Sequence, residues 1–222
     1  RDFVWKKSNA EQLAEDLDSV LNGEYDYRFL GTIVLDSEGK SAQIIDGQQR
    51  LTTLVLLIIA ILEKYIELNK SEIAIEKSKF LRQPRNGQIK LQPRLADKDC
   101  FNSLLYDIGK VLDSDDPSKI LLEPKIDSPE DLHLIREETK ASFPRKIYEY
   151  FGSYISTKLF EDNQEKELNK QQKVAELEKI YDAATRNIIF SQLDLGDHLD
   201  ANEVFERLND TGIPLTNYDL LR

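Results

Sequence analysis

The segment Asp46-Gly47-Gln48-Gln49-Arg50 combines residue types that bind phosphate, at a point where a predicted strand meets a predicted helix. The first turn of a helix has free backbone N–H groups and a partial positive charge, so such junctions bind anions. Arg50 can contact a phosphate through two nitrogens, and Gly47 allows a ligand to approach the backbone closely. Asp46 would repel a bare phosphate, so it is better suited to hold a cation, a ribose hydroxyl or a water. The alternative is that Asp46 caps the helix and the glutamines lie on the surface.

A second group of candidate residues lies towards the two ends of the chain. Arg207 falls near the end of a short predicted helix, and Asn209 lies in the turn after it. The alternative for Arg207 is an ion pair with a surface carboxylate at a capped turn. Arg1 can clamp a phosphate or be a simple terminal residue, whereas Trp5 is more typical of packing than of base stacking.

A basic stretch over residues 77–98 contrasts with the acidic chain around it. It contains one acid, Asp97, and seven basic residues: Lys77, Lys79, Arg82, Arg85, Lys90, Arg94 and Lys98. Phosphate contacts to DNA need such a strip, and backbone contacts carry no sequence information. The strip predicts weak, salt-dependent DNA binding through Arg82, Arg85, Lys90 and Arg94. A solvated loop is the alternative.

The elements that position these residues follow from hydrophobic periodicity and turn signals. Residues 9–22 predict an amphipathic helix that opens with a Ser8–Glu11 capping box. Runs at 29–35 and 41–45 predict a hairpin with a turn at 36–40, and a long apolar helix at 48–68 follows. Further along we predict a mostly polar segment 69–100 with a short strand at 89–91, helices at 101–112, 129–140, 144–160 and 164–186, a loop at 113–129, a strand at 187–195 and a helix at 201–208.

Length and composition exclude several classes of protein. The 222 residues are 40% hydrophobic and 32% charged, which is typical of a globular domain. The formal net charge of −11 means that any DNA contact must use a local basic patch. One cysteine, Cys100, excludes a disulfide framework, and His133 and His198 leave little for a histidine-based metal site, so all three are interpreted as structural. The longest apolar run, 54–62, is far shorter than the roughly 20 residues that span a membrane.

The segment 44–54, which reads Ile-Ile-Asp-Gly-Gln-Gln-Arg-Leu-Thr-Thr-Leu, resembles the signature of the GmrSD restriction endonuclease N-terminal domain family. Three more stretches resemble that family's N-terminal motif, first strand and closing motif: residues 1–5, 29–35, and 205–215 with 219–222. The middle of the chain is only loosely similar.

This resemblance implies a nucleotide-binding, NTP-hydrolysing regulatory domain of a bacterial system that restricts modified phage DNA. It implies a catalytic role for Asp46, Gln48 and Gln49, with Asp46 also expected to hold Mg²⁺. The nucleotide-binding residues that it implies are Arg1, Gly47, Arg50, Thr52, Arg207 and Asn209. The base of the NTP is not specified.

The fold implied by the resemblance is α+β or α/β: a ParB/sulfiredoxin-like nucleotide-binding domain with a mostly helical insertion or second subdomain. We expect residues 1–100 to form the ParB/sulfiredoxin-like domain and 101–186 to form the helical region. Residues 187–222 should return the chain to the nucleotide site.

Members of the family often carry a His-Asn-His-type nuclease domain, and this sequence has no such constellation. We therefore expect no DNA cleavage by this chain, and a nuclease domain or partner outside it. The chain starts at Arg1 and stops inside a predicted helix at Arg222, so we expect a fragment of a longer protein. We expect that protein to be cytoplasmic, to bind nucleotide and DNA, and to make no membrane contact. A homodimer is an option. Two alternatives stay open: a nucleotide-switched DNA clamp of the ParB type without productive catalysis, and a scaffold whose helical middle docks a nuclease.

Overall fold

A computed structural model describes residues 5–38, 41–84, 87–93, 95–112, 129–160 and 168–195. These residues form a mixed fold of helices and a small sheet, which confirms the predicted α+β class. In chain order the elements are α1 (Lys7–Leu21), β1 (Arg28–Glu38), β2 (Ser41–Asp46), α2 (Gln48–Glu67), α3 (Ser71–Ser78), α4 (Leu95–Leu112), α5 (Pro129–Thr139), α6 (Phe143–Lys158), α7 (Lys170–Asp182) and β3 (Ile188–Asp194). A π-helical turn, Ala183–Asn187, joins α7 to β3.

The chain divides into two compact units. The helical unit comprises Arg1–Arg28 and Gln49–Ile189, and the sheet unit comprises Phe29–Gln48 and Phe190–Arg222. The helical unit therefore takes in α1 and nearly all of α2 as well as the helices between residues 101 and 186. The functional domains predicted at 1–100, 101–186 and 187–222 stay predictions.

Helix α2 forms the centre of the helical unit. Every residue from Thr52 to Leu62 is buried, as is Tyr65. A helix that is apolar all round must be enclosed by protein, because it has no polar face to present to water. Elsewhere in this unit, α1 packs on α6 and α7, and α4 packs on α3, α5 and α6. Among the described residues, none of the helices combines the length and the hydropathy that a membrane span requires.

Three tyrosines join helices of this unit by donating hydrogen bonds to carboxylates. Tyr65 of α2 binds Glu178 of α7 at 3.1 Å, and Tyr154 of α6 binds Asp18 of α1 at 2.6 Å. Tyr148 of α6 binds Glu63 of α2. Burial, strengthened by the adjacent carboxylates, raises the pKa of all three phenols well above the usual range, so they stay protonated donors.

The sheet unit is a three-stranded sheet in the order β2-β1-β3. Strands β1 and β2 pair antiparallel, which confirms the predicted hairpin, with a register shift between Val34 and Leu35. On the other side of β1, the Thr32 and Ser191 hydroxyls lie 2.7 Å apart. Ser37 donates to Asp194 at 2.6 Å. The residue numbers rise together on the two strands, from 32 to 37 on β1 and from 191 to 194 on β3. Strand β3 therefore lies parallel to β1.

The start of α1 differs from the prediction. The helix begins at Lys7, and the Asn9 side chain accepts a hydrogen bond from the backbone N–H of Lys6 at 3.0 Å. The predicted Ser8–Glu11 capping box is therefore wrong, because Asn9 closes the first turn from inside the helix. At α6 the predicted helix is confirmed, with Ser142 as N-cap and Pro144 inside the first turn, where a missing N–H costs nothing.

The segment 69–100 is more ordered than the sequence predicted. Helix α3 was not predicted, since it is short and only weakly amphipathic. Helix α4 begins at Leu95, ahead of the predicted 101. The predicted strand 89–91 is reduced to one bridge between Ile89 and Arg82. The predicted helix at 164–186 is α7 followed by the π-helical turn, while the predictions for 113–128 and 196–222 lie outside the described residues.

Candidate functional site

The predicted motif lies at a strand-to-helix junction, as expected from the sequence. Asp46 is the last residue of β2 and pairs with Val34, beside the register shift. Gln48 is the first residue of α2, so the position immediately before the helix is held by Gly47 and not by Asp46. Asp46, Gln48 and Arg50 are all half-buried, which leaves each partly accessible to a ligand.

Gly47 is required by its own backbone and by strand β1. Its φ is +92°, a conformation that side chains disfavour. A Cβ at this position would lie 3.1 Å from Cγ1 and 3.2 Å from Cα of Ile33, and 3.3 Å from the backbone oxygen of Thr32. This glycine therefore has a structural reason to be present, in addition to the predicted close approach of a ligand.

The first turns of α2 hold the rest of the motif. The Gln49 side-chain oxygen accepts a hydrogen bond from the backbone N–H of Trp5 at 3.2 Å, which ties the N-terminal segment to this helix. Thr52, implied by the resemblance as a nucleotide contact, is buried within the helical unit. Thr53 beside it is fully buried, and its hydroxyl has no hydrogen-bond partner among the described residues. Nothing in the sequence predicted that this buried hydroxyl would lack a partner among the described residues.

Asp46 is the residue of the motif that could hold a metal ion. Mg²⁺ commonly uses one or two carboxylates together with substrate phosphates and water, so a single aspartate beside a polyphosphate fits its chemistry. Within the described ranges, no group of three or more His, Cys, Asp or Glu side chains forms a metal site. A magnesium role for Asp46 therefore depends on phosphate oxygens as the remaining ligands.

Several predicted site residues fall outside the part of the chain that the structure describes. They are Arg1, Arg85, Arg94, Arg207 and Asn209. Their assignment to nucleotide or DNA stays a prediction.

The described cations of the basic strip each have a defined contact. Lys77 pairs with Glu178 and lies over the Tyr181 ring, and Lys79 pairs with Glu76. The Arg82 Nε donates to the backbone oxygen of Gly87 at 2.9 Å, and the Lys90 Nζ donates to that of Phe80 at 2.8 Å. Each of these four cations thus has a partner among the described residues.

The remaining candidates from composition carry no reactive geometry in the described residues. Cys100 is buried in α4 and accepts a hydrogen bond from the Ser142 hydroxyl at 3.3 Å. Burial raises the pKa of this thiol, which makes it a poor nucleophile at neutral pH. His133 is exposed on α5, and His198 lies beyond the described residues.

An open groove of about 770 Å³ between α1 and α6 was not predicted. Its lysines lie over aromatic rings: Lys7 over Tyr150, Lys146 over Phe143 and Lys158 over Tyr154. Lys146, Tyr150, Tyr154 and Lys158 follow one another at four-residue spacing, which places them on one helix face. That spacing is the signal that could have revealed the groove.

The full length of the chain matches a family model described as GmrSD restriction endonuclease, N-terminal domain, over residues 1–222. Comparison with curated proteins finds no match. The family match includes the middle of the chain, which the motifs alone linked only loosely. The chain therefore belongs to the GmrSD restriction endonuclease N-terminal domain family and is a component of a restriction system.

Proposed function

We propose that this domain binds and hydrolyses an NTP at the junction of β2 and α2, and that nucleotide turnover gates DNA restriction by a nuclease domain or partner outside this chain. The observation that carries the proposal is the motif itself: a half-buried carboxylate at a strand end, a positive-φ glycine, and an arginine in the first turn of a 20-residue helix. Membership of a restriction endonuclease family supports a role of this domain in DNA restriction.

The chemistry assigned to each residue follows from its charge and place. Arg50 neutralises and orients phosphate oxygens, helped by the backbone N–H groups of the first turn of α2. Asp46 holds Mg²⁺ or the attacking water, since a carboxylate next to a polyphosphate is unfavourable without such a role. Gln48 and Gln49 supply neutral donors and acceptors for the water and the phosphates.

Replacing Arg50 by Ala should remove most nucleotide binding while the fold is retained. A charged hydrogen bond to phosphate contributes ~1.5–3 kcal/mol, which corresponds to a loss of roughly 10- to 100-fold in affinity. The measurement is a thermal-shift panel with ATP, GTP, CTP and UTP plus Mg²⁺, because binding stabilises the native state by mass action. The matched control is Arg186→Ala, whose side chain is 73% exposed and pairs with Asp182 at 3.6 Å. An Arg50→Ala protein with the wild-type shift would contradict the phosphate role.

Replacing Asp46 by Asn should leave nucleotide affinity equal or higher and reduce NTP hydrolysis strongly. Removing a negative charge beside the polyphosphate lowers electrostatic repulsion, while the metal or water loses its anionic ligand. Phosphate release and thermal shift are measured on the same preparation. Turnover at the wild-type rate would leave Asp46 without a catalytic role. Binding without phosphate release by the wild-type protein would instead favour the ParB-type clamp.

A further inference from the structure

The chain after α3 closes on itself in a short paired loop. Ile89 bridges with Arg82, and the backbone N–H of Lys90 donates to Leu81 at 2.8 Å. The backbone N–H of Gln83 donates to Gln88 at 2.7 Å. The two arms of the loop are therefore in register. This pairing fixes the arrangement of the side chains that the arms expose to solvent.

Buried and exposed side chains are neighbours along the two arms. The buried ones, here called anchors, hold the loop, and the exposed ones face solvent. Leu81 and Ile89 are buried, so they fix the loop to the helical unit. Phe80 and Lys90, each next to an anchor, lie outside, and Phe80 is 43% exposed. The Lys90 Nζ lies 5.8 Å from the centroid of the Phe80 ring and binds the backbone oxygen of the same residue. An exposed aromatic ring with a cation over it is thus presented on an ordered support.

The cations next to this ring can be recruited by a phosphate backbone. The Lys79 side chain is 67% exposed, and its carboxylate partner Glu76 is equally exposed. Exposed ion pairs add little to stability, so exchanging the carboxylate for a phosphate costs little. Lys90 uses one of its three N–H donors on the Phe80 oxygen and has the capacity to donate to a second acceptor.

We propose that Phe80, Lys79 and Lys90, here called the Phe80 patch, form a base-stacking site for an unpaired segment of DNA. An exposed ring flanked by cations is how single strands are bound without sequence preference, because each base can stack and each phosphate can pair with a cation. In a duplex both faces of a base are covered by neighbouring bases, so the ring has nothing to stack on. The patch deepens the proposed function, on which it rests for the presence of a DNA target, by specifying the form of DNA that this surface contacts.

Binding of a fluorescein-labelled dT12 single strand to the 222-residue protein tests the patch by anisotropy, with a 12-base-pair duplex as comparison. The wild-type protein should bind dT12 more tightly than the duplex. Phe80→Ala should weaken dT12 binding roughly tenfold, the usual loss when one stacking ring is removed. Phe80→Leu, which keeps an apolar side chain without a ring, should show the same loss, and Phe80→Trp should retain binding.

Controls separate stacking from a general change of surface. Phe160→Ala removes another ring that is 43% exposed, in a different part of the helical unit, and should bind dT12 like the wild type. Lys79→Ala should lower the slope of log K against log salt by roughly 0.7, the value for one phosphate contact on a single strand.

Two outcomes would overturn the patch: equal dT12 affinity in Phe80→Leu and wild type, or no preference of the wild type for dT12 over the duplex. NTP thermal shifts are recorded on the same Phe80 variants, and we expect them to be unchanged. A wild-type protein with an NTP thermal shift but no preference for dT12 would overturn the patch alone. A wild-type protein whose dT12 binding depends on the Phe80 ring but which shows no NTP thermal shift would overturn the nucleotide function alone.

Discussion

Above about pH 10, three tyrosines should together lower the free energy of unfolding of this protein by up to about 4 kcal/mol for each pH unit. The cause is the set of inter-helix tyrosines, Tyr65, Tyr148 and Tyr154. Burial and an adjacent carboxylate raise the pKa of each phenol in the folded state. In the unfolded chain the same phenols release their protons near pH 10.

The sign follows from the proton balance. At pH values below about 10 both states hold the phenol protons, and the stabilisation is fully present. Above it the unfolded chain has released protons that the folded chain retains, so rising pH favours unfolding by roughly 1.4 kcal/mol per pH unit for each such tyrosine. Tyr181, whose pKa burial raises to about 12, adds to the same trend.

Chemical denaturation at intervals between pH 8 and pH 11.5 measures this effect. Tyr65→Phe should make the fall of the free energy of unfolding with pH shallower by roughly 1.4 kcal/mol per pH unit, because the phenol that binds Glu178 is gone. It should also lower stability at pH 7 by about 1 kcal/mol through the lost hydrogen bond. Tyr27→Phe, at an exposed position, is the control for removal of one phenol. A free energy of unfolding that is flat up to pH 11.5 would refute the role assigned to the three contacts.

Replacing Gly47 by Ala should destabilise the protein by about 2–5 kcal/mol. Strain from the φ of +92° contributes about 1–2 kcal/mol. Contact of the new Cβ with Ile33 and Thr32 of β1 adds about 1–3 kcal/mol, because most of the atoms it meets are backbone or close to it. The midpoint of urea unfolding measures the total.

Two other glycines serve as controls that separate backbone strain from contact with β1. Gly23 follows α1 with φ +74° and has open space where a Cβ would point, so Gly23→Ala should cost the strain alone, about 1–2 kcal/mol. Gly152 lies inside α6, also with open space, and Gly152→Ala should stabilise by roughly 0.5–1 kcal/mol. Equal stability of the Gly47→Ala and Gly23→Ala proteins would show that close approach of β1 plays no part.

The sequence predicted the elements whose signals are local. The apolar run of α2 and the hairpin of β1 and β2 were confirmed, since continuous burial and alternation with a turn are visible within a dozen residues. Helix α3 was missed because its eight residues carry a weak pattern, and it depends on contacts with α4. The predicted capping box of α1 was wrong because several polar residues there could each close the first turn.

The candidate site was only partly accessible to sequence reasoning. The motif was correctly placed at a strand-to-helix junction, because the turn residues Asp46 and Gly47 follow a strand pattern. The contact of Gly47 with Ile33 could not be predicted, since it depends on the register shift in the hairpin. The display of Phe80 beside Lys90 likewise depends on pairing between the arms of a loop that reads as polar coil.

Parallel pairing of β3 with β1 has a consequence for how the protein is made. The contacting hydroxyls of Thr32 and Ser191 are 159 residues apart in the chain. The β1–β2 hairpin can form within microseconds of leaving the ribosome, but at roughly 5–20 residues per second β3 follows only on the order of 10 seconds later. Throughout that interval the edge of β1 that will receive β3 lacks its partner strand, which leaves its backbone groups open to mispairing with other nascent chains.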